Sequence, residues 1–156
     1  MKYLWFLLLA AVGGTPAAAG EFPKVGEAEL TTDATIHELS IIDSGALGSI
    51  GQGEYSGVTR NMAGPGPFND TSVRAAENWT LIDGKRSLSG AGVWTDQDGD
   101  HVLVTFGPGQ NNLVKGTGKY SGITGTFKFL GSTRLHETPG GVIPVITHFK
   151  VTWEIK

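Results

Sequence analysis

The last stretch of the chain, "THFKVTWEIK", alternates cleanly: Phe149, Val151, Trp153 and Ile155 fall on one face, and His148, Lys150, Thr152, Glu154 and Lys156 on the other. A period of two is that of a β-strand with one side buried and one side wet. Short apolar and β-branched segments of the same kind recur between glycines, and almost no stretch shows the i, i+3, i+4 spacing of an amphipathic helix. "SVRAAENWTLID" and "GKRSLSGAGVWTD" are separated by Asp83-Gly84, a hairpin signal. "GVWTD" and "HVLVTFG" flank the turn "QDGD", and "HETPGG" joins "TGTFKFLGSTRL" to "VIPVITHFKVTWEIK". With "ATIHELSIID" and the halves around Gly51 the pattern predicts about eight strands. Many short strands without intervening helices predict an all-β fold, an antiparallel barrel in preference to a sandwich.

The N-terminus departs from this pattern. One positive residue (Lys2), an apolar run from Tyr3 to Val12 and a small-residue segment ending at Ala19 have the layout of a secretory signal peptide. A run of about ten residues is half what a spanning helix needs. Cleavage after Ala19 is therefore expected, dividing the chain into a leader, 1–19, and one barrel domain, 20–156, secreted or periplasmic and not inserted in a membrane once cleaved. About 137 of the 156 residues remain, enough to bury a single core. Cysteine is absent, so the domain holds together by packing alone in an oxidising compartment.

Composition narrows the partners. The formal charge is −3, and about −4 without Lys2, which argues against a nucleic-acid partner. The four histidines show no metal-ligand spacing, no GxSxG nucleophile motif occurs, and neither a metal nor a cofactor is expected. "DQDGD" places three carboxylates at alternate positions, as calcium likes, but the glycine and glutamate of an EF-hand order are out of place. A polar hairpin turn is the expectation there.

There are 24 glycines, well above an average usage of roughly 7%. Two near copies, "GQGEYSGVTR" from Gly51 and "GTGKYSGITG" from Gly116, match neither a dinucleotide fingerprint nor a P-loop, and strand-like residues follow the second. If extended, each puts its glycines and one tyrosine, Tyr55 or Tyr120, on a single face. Such glycines let a strand bend where a barrel turns a corner, with a neighbouring ring covering the gap. A tight turn with positive φ is expected near Gly122 to Gly125.

"GTGKYSGITGTFKF" resembles the glycine-aromatic-glycine signature of allene oxide cyclase and dirigent proteins. With "DQDGDHVLVTF" and "MAGPGPFND", the chain is still more similar to small exported bacterial proteins of that barrel superfamily that have no assigned activity. The firm part of the resemblance runs from Trp94 to Leu135. It implies an eight-stranded antiparallel barrel with an apolar cavity and, in some relatives, cyclisation or stereochemical guidance of a hydrophobic substrate; it transfers no catalytic site.

In such a barrel "SVRAAENWTLID" turns Ala75, Glu77, Trp79 and Leu81 inward. An inward Glu77 is either a general acid or base with a raised pKa, or a carboxylate at the barrel mouth paired with a cation. Tyr55 and Tyr120 either converge on Glu77 or fill corners. Trp79, Trp153, Phe127 and Phe129 are the expected lining, and "NMAGPGPFND" a loop able to cover one mouth. Two functions follow: a binding module for a small hydrophobic molecule, with Tyr55, Tyr120 and Glu77 orienting it, or an isomerase or cyclase acting through Glu77. The oligomeric state stays open.

Overall fold

The computed structural model describes residues 22–156; the leader expected over residues 1–19 lies outside them. Eight strands close into an antiparallel barrel in simple chain order: β1 (Val25–Asp43), β2 (Ser49–Asn61), β3 (Thr71–Ile82), β4 (Lys85–Thr95), β5 (His101–Phe106), β6 (Asn112–Gly116), β7 (Ile123–Arg134) and β8 (Val142–Ile155), with β8 pairing back onto β1. The architecture is the all-β barrel that the alternation predicts.

Period-two burial holds along the long strands. Thr71, Val73, Ala75, Glu77 and Trp79 of β3 are buried while Ser72, Arg74, Ala76 and Asn78 are exposed. Leu81 keeps the inward parity but sits at the rim and is exposed. On β8 the buried set is Ile143, Val145, Thr147, Val151 and Trp153. Asp83 and Gly84, at φ 51° and 71°, make the tight connection between β3 and β4. Both central residues of a type I′ turn need positive φ, and an Asp-Gly pair supplies them.

The two glycine-tyrosine segments adopt different structures. Gly51 to Arg60 lies within β2. In the other copy Gly118–Tyr120 is one turn of 3-10 helix, with Gly118 at φ 50° and Gly122 at φ 82°, so this segment is not the extended corner its sequence suggests. The difference follows from the residue before the tyrosine. Lys119 reaches the β4–β5 turn, its Nζ lying 2.7 Å from Asp96 and 2.6 Å from Asp98, while its N–H donates to Asp100 at 3.1 Å. Glu54, at the matching place, instead pairs with Arg74 on the outer face of β3. "DQDGD" is thus a hairpin turn that captures a lysine. Aromatic rings do cover glycines, but the rings are Trp79 over Gly51 and Trp153 over Gly26, from neighbouring strands.

Burial disfavours the charged form of Asp96, yet Lys119, the Asp100 N–H and the adjacent Tyr120 hydroxyl together hold its carboxyl below the ordinary range. A depressed carboxylate pKa stabilises above the unfolded value and is lost as pH falls through the folded one. Lys119→Met is therefore expected to cost about 1 kcal/mol at neutral pH, because the pair is only partly shielded from water. Urea denaturation at pH 7 and pH 3 checks this: the gap between wild type and variant should close at the lower pH.

The strand order gives the barrel two unlike ends. One carries the β2–β3, β4–β5 and β6–β7 connections and both termini of the barrel; there the loop between Asn61 and Thr71 folds inward. Asn61 organises this loop, donating from Nδ2 to the Pro67 carbonyl at 2.9 Å and accepting from the Ala63 N–H at 2.9 Å. Phe68, at its tip, is buried against Phe22, Trp94, Tyr120 and Trp153, with ring centroids 5.2 to 5.6 Å away. Trp153 Nε1 donates to the Pro23 carbonyl at 2.8 Å and ties the start of the barrel to its last strand. This end is closed.

Candidate functional site

The other end, formed by the β1–β2, β3–β4, β5–β6 and β7–β8 connections, is open. A cavity of about 390 Å³ occupies this half of the lumen. Trp94, Val73, Val104 and Phe127 form its deeper part, backed by the aromatic plug, and Phe106, Phe129, Phe149 and Leu88 line the wall above them. The polar groups on its surface are few: Tyr55, Glu77, Asn111 and Thr147.

Most of these polar groups are already engaged. The Tyr55 hydroxyl and Thr147 Oγ1 are 2.6 Å apart. Burial pushes the Tyr55 phenol up, against the opposing effect of that hydrogen bond, so it stays protonated. Asn111 donates from Nδ2 to the Phe127 carbonyl at 3.0 Å and accepts from the Gly107 N–H at 3.3 Å, which holds the β5–β6 connection at the mouth.

Glu77 is the exception. The register across five strands sets Glu38, Gly53, Glu77, Gly90 and Phe106 in one row, so both strands flanking Glu77 present a glycine beside it. Neither neighbour can supply a side-chain partner. The residue is 5% exposed and its Oε1 has no hydrogen-bond partner. Burial pushes its pKa up; Arg86 and Arg134 oppose the shift from the mouth, and Glu38 adds to it. A neutral carboxyl in an apolar cavity is a proton donor available to a ligand oxygen, and its anion would be a strong base there.

The structure brings together Tyr55, Glu77, Phe127 and Phe129 of the residues expected at the site. It places the other three elsewhere. Tyr120 belongs to the closed end, 2% exposed and stacked on Phe68, because its segment is a turn and not an inward strand; its hydroxyl faces Asp96, and burial raises its pKa. The two tyrosines therefore do not converge on Glu77. Trp153 is part of the plug, covering Gly26. Trp79 is buried over Gly51 beneath the Arg86 guanidinium, 4.8 Å from its ring centroid. Conversely, Trp94, Phe106, Thr147 and Phe149 line the cavity. The signal for Thr147 and Phe149 was present in β8, where they share the parity of Trp153. Among the described residues no group of three or more His, Asp or Glu side chains is placed to hold a metal.

No protein-family model matches the chain, and no curated protein matches it. Its structure is similar to that of a pterocarpan synthase dirigent protein. That likeness, at 11% identity, covers 92% of this chain and 99% of the other with a TM-score of 0.44, and it assigns no function to this chain.

Proposed function

We propose that this protein is an exported barrel that holds a small hydrophobic molecule in its lumen. The observation that carries the proposal is a cavity closed at one end, walled by aromatic rings from five strands, and open at the other. Ligand sites of this kind combine a mostly apolar wall with a few placed polar groups. Here the Tyr55–Thr147 pair lies on one wall and the carboxyl of Glu77 on β3, so an apolar molecule carrying one oxygen acceptor meets both shape and chemistry.

Trp94 reports on occupancy from the deep part of the cavity. Titration with terpenes, fatty acids and aromatic compounds is expected to change tryptophan fluorescence saturably, and Ala75→Trp, which fills the lumen, is expected to abolish the change. A flat response to every compound overturns the proposal.

The unpartnered Oε1 of Glu77 favours a second reading, an isomerase or cyclase in which this carboxyl moves a proton on the bound molecule. Under that reading Glu77→Gln loses turnover while ligand affinity changes little. Retained turnover in Glu77→Gln excludes it.

A further inference from the structure

The four arginines divide into two kinds. Arg60 and Arg74 lie on the outer face and pair with Asp33 and Glu54. Arg86 and Arg134 make no ion pair among the described residues, and both lie on the lumen side of their strands. Arg86 shares the parity of Leu88, which lines the cavity, and stands over Trp79. Arg134 is in register with Val145, which is buried in the interior. They come from β4 and β7, so their charges approach the open mouth from separate walls, and both act on Glu77 below.

A guanidinium without a carboxylate partner keeps its donors for something else. Two acids of β1 share the inward parity, Glu38 in the row of Glu77 and Asp43 in the row of Arg86 through Ser49 and Leu81, and neither forms an ion pair with an arginine among the described residues. Two guanidinium groups free of ion pairs among the described residues thus stand above an aromatic cavity. The Arg86 guanidinium carbon lies 4.8 Å from the Trp79 ring centroid, a contact that holds the group over the ring without spending its N–H donors on an acid.

We propose that the molecule held in the lumen is an amphipathic anion, its apolar body between Trp94 and Phe149 and its charged end at the mouth on Arg86 and Arg134. This rests on the lumen-binding reading above and goes further by naming the ligand's charge and orientation. The charged end stays in water-accessible surroundings, so its desolvation is slight, while the apolar body gains from leaving water.

Two fluorescent probes of nearly the same shape test this: anilinonaphthalene sulfonate, an anion, and phenylnaphthylamine, uncharged. The anion is expected to bind at least about tenfold more tightly than the neutral probe at low salt, an advantage that shrinks as salt rises. Arg86→Gln with Arg134→Gln should bring the two affinities together, while Arg60→Gln with Arg74→Gln on the outer face should leave their ratio unchanged. Decanoate should displace the anionic probe at lower concentration than decanol does. Equal affinities in the wild type, or a ratio untouched by the mouth double variant, overturn the proposal. Binding of the neutral probe alone does so while leaving lumen binding intact; binding of neither probe removes both.

Discussion

Phe68→Ala is expected to lower stability by about 3–5 kcal/mol and to loosen the closed end of the barrel. The ring is 2% exposed and touches four other aromatic residues from the segment just before β1, β4, the β6–β7 turn and β8. Its removal leaves a cavity that rigid strands on all sides cannot collapse to fill. Phe68 also holds φ 59°, a left-handed backbone that costs a non-glycine residue about 1–2 kcal/mol. The burial outweighs that strain, which is why a bulky residue persists at a position suited to glycine. Phe68→Leu, which keeps much of the volume, should cost about 1–2 kcal/mol. Urea denaturation of the three proteins checks the order, and a loss below that of the leucine variant for Phe68→Ala would show that the loop is not the plug. Because Trp94 lies between Phe68 and the cavity, the alanine variant should also weaken ligand-induced fluorescence changes.

Glu77→Leu is expected to stabilise the protein by about 1–3 kcal/mol at pH 8, since it replaces a buried oxygen without a partner by apolar volume. The effect carries a pH signature. Glu77 has a raised pKa, so between the ordinary carboxylate range and its folded value the native state binds more protons than the unfolded one. Its contribution is therefore most favourable below the unfolded pKa and is lost as pH rises through the folded pKa. The wild type should lose stability over that window, the leucine variant should not, and the gap between the two should be smallest at low pH. Denaturation curves at pH 4, 6 and 8 decide it. A wild type that gains on Glu77→Leu as pH rises would mean that the carboxylate is paired, not stranded. Adding Arg86→Gln or Arg134→Gln to the wild-type background should steepen the loss, because both cations moderate the shift from the mouth.

Glu77 marks how far alternation can be read into function. Ala75, Glu77 and Trp79 share the inward parity of β3, and all three are buried. Which part of the interior a residue meets is a different question. Trp153 and Thr147 have one parity on one strand, yet the first closes the barrel floor and the second faces the cavity. That depth is set by the stagger between strands and by where the loop carrying Phe68 enters.

The glycine-tyrosine copies show the same limit. Two segments with almost one sequence became a strand and a turn, because Lys119 finds three aspartates on the β4–β5 hairpin while Glu54 finds Arg74 beside it. Those partners are distant in the chain and are brought near only by closure of the sheet.

The chain's own pattern was enough to specify strands, tight turns, the closed all-β architecture and the side of each strand that faces inward, since period-two burial and positive-φ turns are local properties. Tertiary structure alone decided which end is plugged, that glycines on both flanking strands leave Glu77 without a partner, and that Arg86 and Arg134 come to one mouth. These depend on register between strands far apart in sequence, and register is settled by packing across the whole barrel.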